Sequence, residues 1–436
     1  MNINTQLRLG IGKVDITPPL GVDLSGYVAR RGTSRGIHDR LYSKAVCFEQ
    51  GDKRILLIAN DILSIGLNLS SEVKRLIQKK LDFPGENVII TATHTHSGPA
   101  TINLKGCGKI DRDYIRKLPK KMVTAAAKAM ESMKHVRVQY SQFEVKSGEN
   151  RREKGGYVDH SGAIIRFVAD SGETIASIVH YNCHPVVLTH TNLLISADYP
   201  GVITRSIEKV LGGICIFLAG AIGDVDPIHR GTFQKVENMG KAIANAALNS
   251  LKSQKELEGE LQLLLRSMEI PSEDILPEAV EREIQSLQKA SDPSSVLKSL
   301  YIEDRISLHW LGRKIARVYL EWYDEVKTLK EHGVGKVLYD LNIRVLNLGE
   351  LVLVFLPGEP HALVGKKIKD ALLPKVALTV GYADDHLGYI PNEETYRLGG
   401  YEILQANRYY GLPAVVGKGT EAMIVRTLME MLHRCR

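Results

Sequence analysis

Short, almost continuous apolar runs alternate with stretches of apolar residues spaced three or four apart through the first 250 residues. The runs at 53–61 (KRILLIAND) and 87–96 (NVIITATHTH) predict strands buried on both faces. Further strands are predicted at 136–145, 163–168, 174–183 and 214–219. Helical spacing predicts helices at 71–81, 112–133, about 202–210 and about 236–251. The alternation gives an α/β fold, a mixed β-sheet core with flanking helices.

The pattern then changes. Residues 256–331 are dense in Glu, Lys, Leu and Arg at helical spacing, punctuated by Pro271, Pro277 and Pro293, and predict a helical insertion. A β-hairpin is predicted at 336–348 and 350–356, with its turn at 347–349. A helix at 361–372, a strand at 376–382 and a closing helix at 420–432 follow. Chemistry-bearing residues return after the insertion, so 1–436 is expected to be a single domain.

With 44% apolar and 25% charged residues, disorder is not expected. The net charge of +7 comes without a Lys/Arg block or an aromatic-basic stripe, so nucleic acid is not an expected partner. No apolar run reaches bilayer length, and the N-terminus lacks the pattern of a signal peptide. Five scattered cysteines form no CxxC pair. A cytoplasmic location is expected. Nothing in the sequence sets the oligomeric state.

Two histidine clusters end predicted strands. THTHSGP at 93–99 puts His94 and His96 two apart, hence on one face of a strand. HYNCHP at 180–185 places His184 before a proline, which keeps it extended. Neutral imidazole is a common zinc ligand, and a carboxylate often completes a catalytic site; Glu359, in LPGEPH after another apolar run, fits.

Several blocks resemble the neutral, non-lysosomal ceramidases: GIGKVDITPPLG near the start, GIHDRL at 36–41, THTHSGP, HPVVLTHTNLLISAD at 184–198, GDV at 223–225 and LPGE at 356–359. The resemblance runs nearly end to end over that family's catalytic domain, with no residues left for its C-terminal immunoglobulin-like domain. It implies a Zn2+ ion held by His94, His184, Glu359 and Tyr389. Tyr401, twelve residues beyond Tyr389 and followed by Glu402, matches a family tyrosine that polarises the substrate carbonyl. His96 matches a histidine near the reacting centre, and Arg151 a family arginine that could hold a carboxylate or oxyanion.

The family's proposed nucleophile is a serine where this chain has Asp226. Asp226 could act as general base on a zinc-activated water, or join Asp224 or Asp198 on a second divalent cation, Mg2+ or Ca2+. The third alternative is a loop-capping role. The resulting expectation is a zinc-dependent hydrolase of a linear amide, acting on a small N-acyl or lipid-like substrate. A zinc esterase or lactonase, or a non-catalytic metal-containing binding protein, are the alternatives.

Overall fold

A computed structural model describes residues 6–276, 280–285 and 308–433. The main sheet has nine strands. Its order is Ile214–Ala219, Thr174–Tyr181, Ser161–Ala169, Lys134–Glu144, Arg8–Asp15, Tyr42–Gln50, Lys53–Asn60, Val88–Ala92, with Lys255–Leu257 added on Lys134–Glu144. Both end pairs are parallel and the pairs between them antiparallel, so the sheet is mixed as expected. The sheet curls until Ile214–Ala219 contacts Val88–Ala92. That closure brings together the ends of two strands distant in the sheet order, Val88–Ala92 and Thr174–Tyr181.

Alternating side chains fill both faces. Cys47, Leu56 and Ile58 face helices Leu67–Leu81, Arg112–Glu131, Asp198–Leu211 and Phe233–Ser250. Val46, Phe48 and Leu57 face a second, four-stranded sheet. That sheet runs Leu261–Pro271, Leu338–Leu348, Leu351–Phe355, Val376–Val380, and helices Ala362–Ala371 and Thr420–His433 cover its outer face. Burial on both faces explains why these strands read as continuous apolar runs.

One expectation is corrected. The helical insertion does not begin at 256, because Lys255–Leu257 and Leu261–Pro271 are strands. Leu261–Pro271 carries four leucines with Gln262, Arg266, Met268 and Glu269, good helix formers, yet eleven residues of register against Leu338–Leu348 override that propensity. Helix Leu308–Glu331 lies in the expected segment and packs Leu311, Ile315 and Tyr319 against Val28, Leu104 and Tyr409. Pro277 and Pro293 lie outside the described residues.

Asp61 is buried where Lys53–Asn60 ends, and its Oδ2 accepts the Tyr42 N–H at 2.9 Å. Burial pushes its carboxyl up to about 6, against the pull of Lys44. The unfolded value is about 3.9, so protonated Asp61 stabilises the fold below that pH, and the contribution is lost as pH rises through about 6. Asp61→Asn keeps an acceptor for Tyr42 but cannot ionise. It is expected to gain on the order of 2 kcal/mol on wild type between about pH 4 and pH 7.5 in urea unfolding. A difference that does not change with pH would contradict this.

Candidate metal centre

His94 follows the strand that ends at Ala92, and its backbone is left-handed, with φ +66°. Its N–H donates to Ile62 O at 3.0 Å, which holds the kink. His94 and His96 do converge, with Nε2 atoms 3.2 Å apart, but the kink does this and not the pleat of a strand. Nδ1 of His94 lies 2.7 Å from Leu63 O, which only an N–H can satisfy. Nε2 is therefore the bare nitrogen, turned inward.

His184 arrives from the other side, beyond the strand Thr174–Tyr181, and its own N–H donates to Val225 O at 2.9 Å. One ligand nitrogen from each of His94, His96 and His184 lies within 4.8 Å of the others. Glu359 enters from the second sheet, on the bridge Glu359–Pro360 that pairs with Tyr389–Ile390. Its Oε2 lies 3.3 Å from His184 Nε2 and 3.6 Å from His94 Nε2.

The charges around Glu359 bear on what this site could hold. Glu359 is fully buried, and among the described residues its ionic neighbours are only histidines, His94, His184 and His386. Burial drives the His94 imidazole down to about 3, and His96 well below its ordinary value, so both are neutral near pH 7. No lysine or arginine pairs with the Glu359 carboxylate among the described residues; burial would push it up, but His94, His184 and His386 outweigh that and hold it well below its usual range. Converging imidazole nitrogens beside a buried carboxylate are a donor set that could hold a divalent cation. Tyr382 donates to Glu359 Oε2 at 3.2 Å and Tyr410 donates to Oε1, which fixes the carboxylate.

Of the expected site residues, His94, His96, His184 and Glu359 come together. Tyr389 is next to Glu359 along the backbone bridge, but its hydroxyl accepts from Arg151 Nη2 at 3.0 Å. Arg151 also bonds Glu402 Oε1 at 2.8 Å and lies 3.6 Å from Asp226 Oδ1. Tyr401 packs its ring 6.0 Å from that of Tyr389. His96, His184, Arg151, Asp226, Tyr389 and Tyr401 all line one cavity of about 290 Å³.

The expected second cation site is corrected. Asp198, Asp224 and Asp226 form no ligand group among the described residues. Asp198 accepts the amides of Leu188 and Tyr199, and Asp224 accepts from Ala362 N and Asn150 Nδ2. Asp226 Oδ2 accepts from Arg230 Nη1 at 2.9 Å. Asp198 and Asp224 already have their donors, and the two arginines beside Asp226 repel a metal.

The profile of the neutral/alkaline non-lysosomal ceramidases, N-terminal part, matches residues 7–227. The chain belongs to that family. It is 24% identical to the neutral ceramidase of Pseudomonas aeruginosa, over 97% of this chain and 71% of that protein. It is 22% identical to that of Mycobacterium tuberculosis, over 99% of this chain and 77% of that protein. The match to the Drosophila melanogaster neutral ceramidase spans only 48% of that protein. The crystal structure of the Pseudomonas aeruginosa neutral ceramidase shares the fold, with TM-score 0.73 at 20% identity over 98% of this chain and 74% of that one.

Sequence reasoning did not place Tyr382, Tyr410 or Arg230 at this ceramidase-family site, and it favoured surface or core placement for His386, which lies 3.6 Å from Glu359 Oε1. Only Arg230 carried a local signal, four residues after Asp226. The tyrosines reach Glu359 from 23 and 51 residues away, and no short-range pattern encodes that.

Proposed function

We propose that this member of the ceramidase family is a zinc-dependent hydrolase of a linear amide, an N-acyl amidohydrolase. The observation that carries the reading is the buried Glu359 among three histidines, with no cationic lysine or arginine paired to it among the described residues, beside a polar cavity. His94, His184 and Glu359 would hold the ion, with His96 or Tyr389 beside it. Zinc, when bound, acts as a Lewis acid on the carbonyl and makes a water acidic enough to attack near neutral pH.

The chain's own residues supply the rest. Burial pushes the Asp226 carboxyl up, but Arg230 and Arg151 outweigh it and hold it below the usual range. Asp226 is thus ionised at neutral pH. Its Oδ1 has no hydrogen-bond partner among the described residues, so it can accept a proton in the cavity. His96 and Tyr401 line the same cavity and can steady a developing oxyanion, and Arg151 can orient a carbonyl or carboxylate. The cavity is at the small end of ligand sites, which favours a compact N-acyl or lipid-like substrate.

Matched amides and esters of one acyl group, assayed with and without zinc, test the proposal. Zinc-dependent turnover of the amides is expected. Turnover of esters alone would make the chain an esterase or lactonase, and bound zinc with no turnover of either would make it a binding protein. Asp226→Asn separates two roles for that carboxylate, since its Oδ1 also lies 3.9 Å from His184 Nδ1. As general base, its loss lowers kcat by about 100-fold or more with zinc content unchanged. A parallel loss of zinc would instead make Asp226 a support for the His184 ring.

A further inference from the structure

A second pocket, about 300 Å³, lies on the other side of the loop that carries Tyr27. Three cations line it: Arg30, Arg31 and Lys314. None of the three makes a salt bridge in the described structure. Arg30 is only 6% exposed. Its Nη1 donates to Ser25 O at 2.9 Å and its Nη2 to His96 O at 2.7 Å, both neutral carbonyls. Its Nε is buried with no partner at all among the described residues. Lys314 Nζ donates to another carbonyl, Val28 O, at 2.7 Å.

Arg31 and Lys314 share one aromatic platform. The Arg31 guanidinium lies 4.4 Å, and the Lys314 ammonium 5.2 Å, from the centroid of Trp310. The one carboxylate lining the pocket is Asp23, whose Oδ2 accepts the Lys109 amide at 2.9 Å. Three positive charges therefore face a single negative one. The Arg30 guanidinium also lies 4.9 Å from the centroid of the Tyr27 ring, but a buried guanidinium with an unpartnered Nε and no carboxylate beside it is costly unless an anion completes its shell.

We infer that Arg30, Arg31 and Lys314 form a binding site for a small oxyanion, a phosphate or a carboxylate, seated against Trp310. Guanidinium forks suit both groups. The site is outside the metal cavity and does not depend on the hydrolase proposal. It is joined to the metal centre by the bond from Arg30 Nη2 to His96 O and by Tyr27, which lies under Arg30 and against the His96 ring, so an anion that fixes Arg30 also fixes the loop of His96. The anion comes either from the substrate's own charged end or from solution.

The test is a fluorescence titration with inorganic phosphate, at constant ionic strength and against chloride. The chain has two tryptophans, and the other one, Trp322, is buried with its indole N–H on Leu412 O. Trp310 therefore reports local events, and Trp310→Phe removes the signal without touching the metal centre. Saturable phosphate-dependent change in wild type is expected, with binding weakened at least about tenfold in Arg31→Gln/Lys314→Met. Arg31→Gln alone, on an exposed side chain, serves if the double variant folds poorly. Equal phosphate response in wild type and variants, or none in wild type, overturns the site. The source is read separately, with a carboxylate-bearing N-acyl substrate and its neutral amide. A KM rise in the double variant for the charged substrate alone assigns the anion to the substrate. A phosphate effect on both substrates that the variant abolishes assigns it to solution.

Discussion

Glu359→Gln is expected to abolish tight zinc binding and, with it, turnover, while making the metal-free protein more stable. The two effects have one cause. Glu359 is the carboxylate that faces the Nε2 atoms of both His94 and His184, and it is completely buried. With a cation present, its charge is neutralised at short range. Removing it leaves an ion held by neutral rings, at an expected cost of about 4 kcal/mol, or roughly a thousandfold in zinc affinity. Without a cation, the same carboxylate is buried with no lysine or arginine beside it among the described residues, and rests on the histidines and tyrosines around it. Glutamine then fits better, although it loses part of the bonding from Tyr382 and Tyr410. Melting curves in chelator and in saturating zinc should cross over, with the variant higher in chelator and wild type higher in zinc. Wild type more stable in both would mean that the carboxylate serves packing and hydrogen bonding, not a metal.

Gly12→Ala is expected to cost about 3 kcal/mol, and Gly12→Val to prevent folding. Strand Arg8–Asp15 is crossed by helix Arg112–Glu131 at contact distance. A Cβ at Gly12 would sit 2.0 Å from Ala125 O and 2.9 Å from Ala129 N; one at Gly10 would sit 1.9 Å from Ala129 O. These are backbone atoms of a helix and cannot swing aside. Ser132 ties the end of that helix to the strand, accepting from Ile11 N and donating to Ile11 O. Gly335→Ala, where a new Cβ meets nothing within 4 Å, is the control and should change stability by less than about 1 kcal/mol. Urea unfolding of the three variants checks the ranking. A Gly12→Ala protein as stable as the control would show that helix and strand can separate freely.

Strands buried on both faces were legible because nothing polar interrupts them, as in Lys53–Asn60 and Val88–Ala92. Leu261–Pro271 was not, since its four leucines, Gln262, Arg266, Met268 and Glu269 suit a helix and only its partner strand makes it extended. The metal centre was half legible. His94, His96, His184 and Glu359 each close an apolar run, and that position marks them in the sequence. The kink at His94, the curl that joins the sheet's ends and the tyrosines on Glu359 are long-range facts. The cationic pocket was illegible for the same reason: Lys314 reaches Val28 across 286 positions.

X-ray absorption at the zinc edge of the zinc-loaded protein tests the central claim most directly. Nitrogen and oxygen ligands at about 2.0–2.1 Å with imidazole back-scattering, one zinc per chain, and loss of that spectrum in His184→Ala are the expected result. Sulfur at about 2.3 Å, or a spectrum unchanged by His184→Ala, would place the metal elsewhere and contradict the account.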